Sequence, residues 1–377
     1  MSSEQSLHGS KTSAPYVWRS VLILIATSIV LMIAIFVGAR YGLLFAVGLG
    51  FGIVLEALGF GFAGPWRAMI LKRNPAGVLA QLLSIGLVAT LALPLLETHG
   101  SELSGARGSI GWAMVAGAFI FGVAMQVVLG CGSGTLVNAG SGNPIGLLAL
   151  PFFAIGSFLG AYHVIWWTDL GSLPVIVLAG WSGLFLTIAM LAIVAAIFYY
   201  FANPQYRKIP KNYLIAAVII AILAVLNLII AGQPWGVVYG LGLWVAKIAV
   251  ASGADLSGSV FFSAPINSER LKESILTDYT SLTNIGLMVG AYFVTSWRTK
   301  GFSQKIPRLP LRAWSATILA GLVMGYAARL AFGCNVGAYF SGISTGSLHG
   351  WAWFAAAFCG SYYGVKLRPL LGLEAKS

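Results

Sequence analysis

The chain alternates long apolar runs with short polar joints. Runs near 21–39, 41–60, 76–96, 110–130, 144–165, 176–200, 213–231, 236–252, 281–297, 313–332 and 349–366 carry almost no charge. Most approach the roughly 20 residues needed to cross a bilayer. Backbone groups in lipid must bond to one another, so these runs predict helices and not open strands. The strict alternation of a membrane barrel is absent. The pattern predicts an all-α polytopic membrane protein. A polar N-terminal tail, 1–16, precedes an extra first transmembrane helix, 17–39. That first run is long and has no clear small-residue cleavage pattern after it, so it reads as a retained helix and not as a signal peptide.

Composition agrees with lipid as the solvent. Hydrophobic residues make up 58% of the chain, charged residues 8%, and mean hydropathy is +0.88. A soluble domain carries roughly 25% charge. The net charge of +12 is an orientation signal here and predicts no nucleic-acid partner. Arg207, Lys208 and Lys211 form one basic loop. Arg298, Lys300, Lys305, Arg308 and Arg312 form another, and Lys366 and Arg368 follow the last run. The rule places all of these in the cytoplasm, with both termini and the tail 367–377. Termini on one side require an even number of crossings. About ten are expected, with 236–252 as the run that does not cross completely.

Two segments interrupt the pattern. "GCGSGTLVNAGSGN" (130–143) and "GCNVGAYFSGISTG" (333–346) each stop an apolar run at Gly-Cys and continue with small uncharged polar residues. They align beyond the cysteine: "FGVAMQVVLGCGSG" (121–134) lies over "MGYAARLAFGCNVG" (324–337). "GSFLG" (156–160) lies over "GSYYG" (360–364), and "GARYGLLFAVGLG" (38–50) resembles "GQPWGVVYGLGLW" (232–244). We read a single membrane domain, 40–366, built of repeat halves 40–200 and 232–366. Transporters are often built so, with the site between repeats at interrupted helices. Glycines four residues apart (Gly156/Gly160, Gly286/Gly290, Gly321/Gly325, Gly360/Gly364) read as helix-packing positions.

The interruptions suggest a chemistry. A short helix starting after Gly130-Cys131 or Gly333-Cys334 presents unpaired N–H groups and the positive end of its dipole. Such an end holds an anion without a formal charge. The thiols of Cys131 and Cys334, the hydroxyls of Ser133 and Thr135 and the amide of Asn335 add neutral donors. Arg67, Lys247 and Arg329 lie close to or within the membrane segments, opposed only by Glu56 and Asp255. Arg67 and Arg329 can attract an anion, while Arg67 can equally be an interfacial residue and Glu56 can neutralise Lys247 or Arg329. The third cysteine, Cys359, reads as a small apolar residue. Three cysteines without a C-x-x-C pair, and four scattered histidines, give no metal site. No cofactor is predicted.

The two Gly-Cys segments resemble the YeeE/YedE family of sulphur-transport membrane proteins. "GCGSGTLVNAGSGN" is similar to the family form G-C-A-S-G-T-L-x-x-x-G-x-G-N, and "FGCNVGAYFSGISTGSLHGWAWFAAAFCGSYYGVKLRP" to its C-terminal signature. The resemblance spans about 40–370. It implies a thiosulphate uptake transporter or channel in the bacterial inner membrane. It implies spanning and short re-entrant helices in an hourglass, and a cytoplasmic sulphur-carrier partner of the TusA type. Cys131 and Cys334 take the places of two pathway cysteines. A third family motif, approximately G-R-F-C-x-x-G-x-F-R-D, meets "LGFGFAGPWRA" (58–68) here: Phe60 and Arg67 match, but Gly61 replaces the cysteine. That departure leaves open another cargo, such as sulphite, sulphide or a selenium oxyanion. A different class is a sulphurtransferase with a persulphide on Cys131 or Cys334. No His or carboxylate stands near either cysteine in sequence, which weighs against it.

Overall fold

A computed structural model describes residues 16–299 and 306–374. Most of the predicted polar tail, the basic residues Lys300 and Lys305, and the last three residues lie outside the described residues. The first stretch of helices is α1 (Tyr16–Phe36), α2 (Ala39–Leu58), α3 (Ala63–Lys72), α4 (Ala76–Thr98), α5 (Trp112–Val128) and α6 (Gly132–Gly140). Then follow α7 (Pro144–Tyr162), α8 (Val164–Thr168), α9 (Gly180–Tyr200), α10 (Lys211–Ala231) and α11 (Val238–Ala251). The chain continues with α12 (Val260–Ser263), α13 (Pro265–Lys272), α14 (Tyr279–Thr299) and α15 (Leu311–Leu330). A π-helical segment, Asn335–Phe340, runs directly into α16 (Ser341–Ser344), and α17 (His349–Leu370) closes the molecule. Among the described residues there is no strand, only isolated bridges such as Val177 with Ser347.

Among the described residues, eight helical segments are long and apolar enough to cross a membrane. The helices α14 and α17, with 21 and 22 residues, also have the length of a span. Their lower apolarity has a physical cause. They turn Ser281, Thr283 and Asn284, and His349 and Ser361, inward to buried positions, so polar side chains face protein and not lipid. The 236–252 run forms α11, whose 14 residues extend about 21 Å, short of the roughly 30 Å hydrocarbon core.

Three helix pairs form the body: α2 with α14, α5 with α17, and α7 with α15. Lipid offers no hydrophobic drive for helix association, so close backbone approach through small residues matters. The glycines supply it. A β-carbon at Gly122 would strike the carbonyl oxygen of Ala357, and one at Gly325 that of Phe153. A β-carbon at Gly156 would strike the carbonyl of Leu322, and one at Gly360 that of Phe119. Positions aligned in the two segments thus make the same contact onto each other's partner helix. Gly286 and Gly290 approach the carbonyls of Phe45 and Leu49 on α2 in the same way.

Candidate functional site

Each interruption is a helix break entered through a left-handed residue, although Gly333 has positive φ and Gly130 does not. Helix α5 ends at Leu129, which takes φ 56°, and the segment after α15 passes through Phe332 at φ 58°. This left-handed conformation is uncommon for a residue with a β-carbon. Among the described residues only Arg73 is another non-glycine with positive φ. Gly130 and Gly333 follow. A β-carbon on Gly130 would sit 3.0 Å from the backbone nitrogen of Thr135, and one on Gly333 would sit 2.8 Å from that of Ala338. Both positions are tight because the next helix folds back onto them, and Gly333, at φ +147°, requires glycine. Cys131 and Cys334 come next, both extended, at φ −77° and −91°. Each is the N-cap of the following segment: Thr135 N–H donates to the Cys131 carbonyl at 2.8 Å, and Ala338 N–H to that of Cys334 at 2.9 Å.

The two thiols are buried and free. Cys131 Sγ lies 3.4 Å from Ser133 Oγ, and backbone N–H groups of Ser133 and Gly134 face the sulfur. Cys334 Sγ is faced by the N–H groups of Val336 and Gly337 and by that of Gly132 from the other break. A β-carbon at Gly132 would lie 2.7 Å from Cys334 Sγ and 3.3 Å from Val237 Cγ1. The two breaks therefore meet at Gly132.

A cavity opens on either side of that junction. The first, about 190 Å³, is lined by Gly59, Phe60, Gly61, Gly130, Cys131 and Ser133, with Glu56 at its wall. The second, about 330 Å³, is lined by Arg107, Val237, Tyr239, Phe261, Arg329 and Gly333. They face opposite ends of the molecule. Gly77 at the start of α4 packs on Pro65 beside the first cavity, and the 23 residues of α4 carry the chain about 34 Å towards Arg107. The first cavity lies at the basic end. Asn212, beside Lys211, donates to the Leu58 carbonyl at 3.2 Å, and Arg298 donates to that of Ala57 at 3.2 Å.

Charge is placed asymmetrically. Arg329 is in no ion pair among the described residues, and its guanidinium lies 4.6 Å from the Phe261 ring and 5.5 Å from that of Tyr239. Its Nε is buried without a partner. Among the described residues no carboxylate lines that cavity. Glu56 neutralises neither Lys247 nor Arg329: it pairs with Arg298 at 3.7 Å. Lys247 donates to backbone carbonyls of Leu271 and Glu273, and Asp255 accepts from Ser257 in an exposed turn.

Of the predicted residues, the structure brings Gly130, Cys131, Ser133 and Gly61 to the first cavity and Gly333 and Arg329 to the second. Cys334 lies at the junction. Asn335 is fully buried beside it, with both amide atoms unpartnered. Thr135 and Arg67 line neither cavity. Thr135 Oγ1 turns back to the Cys131 carbonyl at 2.8 Å, because a threonine hydroxyl in a helix can share the carbonyl four residues earlier with its own backbone N–H. Arg67 pairs with Glu374 at 2.6 Å. Cys359 is exposed on α17, so it stands away from the other two thiols. At Gly61 a β-carbon would meet nothing within 4 Å. Its carbonyl accepts from Gln81 at 2.7 Å, and Gln81 in turn accepts from Trp66 at 3.0 Å.

Sequence reading missed the non-helical stretch before α11. Ser341 Oγ donates to the Trp235 carbonyl at 2.7 Å and Asn284 to that of Val237 at 2.9 Å, while Ser157 donates to that of Val238, the first residue of α11, at 2.9 Å. Irregular backbone inside a membrane protein is tolerated where protein buries it or a cavity borders it. The signal was "GQPWG", a proline between glycines after an apolar run.

An all-helical, multi-pass membrane protein whose two cavities converge on buried cysteines at paired helix breaks is the class that this geometry defines. The chain belongs to the sulphur-transport family, whose model matches residues 59–363; this is the YeeE/YedE family that the Gly-Cys motifs resemble. It is 25% identical to the thiosulfate transporter TsuA of Spirochaeta thermophila over 329 residues, covering 81% of this chain and 92% of that protein. It is 30% identical to the probable transporter YedE of Escherichia coli K12 over 149 residues, 39% of this chain. That match spans 36% of the YedE protein.

Proposed function

We propose that the protein is a bacterial inner-membrane transporter or channel for uptake of thiosulphate or a related small sulphur-containing anion. The observation that carries this is the contact of Cys334 Sγ with Gly132, which joins a cavity at Cys131 to a cavity at Arg329. The anion enters the Arg329 cavity, drawn by Arg107 and Arg329 with no opposing acid. At the junction it exchanges water for S–H and backbone N–H donors. The first turn of α6 and the Asn335 segment add their dipole ends. A neutral wall holds an anion weakly enough to release it. The basic end that borders the Cys131 cavity faces the cytoplasm under the positive-inside rule, together with both termini. A TusA-type sulphur carrier is the partner proposed there.

The reciprocal glycine contacts, and the left-handed residue and extended cysteine common to both breaks, support reading the body as two related halves in an hourglass.

Growth on thiosulphate as sole sulphur source, in a bacterium lacking other thiosulphate uptake, tests the proposal. Wild-type protein restores growth, and Cys131→Ala or Cys334→Ala impairs it. Failure of the wild-type protein sinks the thiosulphate reading. One observation favours a second cargo: Gly61 leaves the Cys131 cavity without the thiol of the family motif. Sulphite, sulphide or a selenium oxyanion in the same assay distinguishes that case.

A further inference from the structure

The first helix touches the body near both ends, and Leu22 is buried between them. Near its start, Trp18 Nε1 donates to the Ser296 carbonyl at 3.1 Å. Further along, Ile29, Val30 and Ile33 pack with Phe45, Leu49 and Leu282, and Ala34 meets Gly42. Between these contacts Leu22, Ala26, Ile53, Phe293 and Trp297 line a groove of about 410 Å³. The groove is apolar but its rim is not. Arg298 lines it and is half exposed. The Arg19 guanidinium lies 5.1 Å from the Trp297 ring, and its Nε is buried without a partner.

We propose that this groove binds an anionic phospholipid, one acyl chain between α1, α2 and α14 and the phosphate at the rim formed by Arg19 and Arg298. A lipid chain is the apolar occupant that a bilayer supplies to a membrane-facing groove. The rim selects its headgroup. Arg298 meets Glu56 only at 3.7 Å, and guanidinium groups match phosphate geometry through paired N–H donors. Trp18 and Trp297 sit at the same level, where indole rings favour the headgroup boundary. This end also carries the basic loop, so it faces the leaflet whose anionic lipids attract arginine. Arg298 connects the groove to the Cys131 cavity, because its other partner, Glu56, lines that cavity. Arg19 has no such second role and is the clean position to test.

Native mass spectrometry of the full chain, incubated with equimolar phosphatidylglycerol and phosphatidylcholine of identical acyl chains, reads the preference directly. Wild-type protein retains phosphatidylglycerol by roughly fivefold or more, the scale of one arginine near a charged headgroup. Arg19→Gln brings the two lipids towards parity, and Arg19→Lys keeps most of the preference. Ala26→Trp fills the groove and lowers retention of both. Neutralising Arg207 and Lys208, basic residues outside the groove, leaves the preference intact. Equal retention by wild-type protein overturns the proposal, as does an unchanged Arg19→Gln or an equal loss in the Arg207/Lys208 control.

Discussion

The sulfur of Cys334 rests on Gly132: a β-carbon there would lie 2.7 Å from it. Glycine at 132 is what lets the second break touch the first. Gly132→Ala therefore forces Cys334 or α6 to move. Overpacking of this kind costs about 1–3 kcal/mol locally. The protein should still fold, while anion uptake into proteoliposomes falls by about fivefold or more, 1 kcal/mol being about a factor of five. Uptake at the wild-type rate would show that the junction is not on the path.

The breaks demand glycine unequally along their length. Gly333 takes φ +147° and faces the next helical turn, whereas a β-carbon at Gly337 would meet only the Phe332 carbonyl, at 4.0 Å. Gly333→Ala should lower stability by about 1–3 kcal/mol, the usual cost of a backbone held where side chains rarely go. Gly337→Ala should change it by less than about 0.5 kcal/mol. Thermal unfolding in detergent compares the two, and equal losses would contradict the geometry.

Gly61→Cys should be tolerated, since open space surrounds the position, and it should place a new thiol in the cavity of Cys131. Labelling by a membrane-impermeant maleimide should occur from the cytoplasmic face of inverted vesicles and not from the other side. Labelling only from the outer face would reverse the proposed orientation. Uptake of thiosulphate should rise or hold in this variant, because it adds a neutral donor at the vestibule.

Among the described residues Arg329 has no acidic partner, so its charge is available to an incoming anion. Arg329→Gln should raise KM for uptake by roughly fivefold to thirtyfold, the effect of about 1–2 kcal/mol from one lost charge-assisted contact. The maximal rate should change less, since the junction lies elsewhere. High salt should weaken the wild-type advantage by screening. A variant that alters only the maximal rate would place Arg329 outside capture of the anion.

Arg67 pairs with Glu374, which also pairs with Arg368. Arg368 in turn donates to the carbonyls of Gln126 and Val127, the latter at 2.6 Å. Arg67→Gln should thus leave uptake within about twofold of wild type. Its cost should appear as stability, about 1 kcal/mol for a partly exposed pair, read as a lower melting temperature. A large loss of uptake without a stability change would return Arg67 to the pathway.

Much of this molecule was legible in one dimension. The apolar runs became helices because lipid removes every alternative for the backbone. The Gly-Cys positions became helix breaks because glycine permits the turn that the next helix requires. Arg329 stood out as a cation near a break. Sequence could not give the direction of a side chain. Thr135 and Arg67 have suitable chemistry, but one folds back onto a carbonyl and the other onto Glu374 near the chain's end.

What the sequence determined alone was therefore local: lipid-embedded helices, their interruptions, the uncharged polar groups after each, and the basic loops between them. Tertiary structure decided what those groups face. It set Cys334 against Gly132, gave Glu56 to Arg298, and put Gly61 and Cys131 in one cavity. It also drew the "GQPWG" stretch to the junction. The reason is that helix formation is fixed by each segment's own solvent. Which helices become neighbours depends on glycine contacts between residues far apart in the chain, and no single segment contains that information.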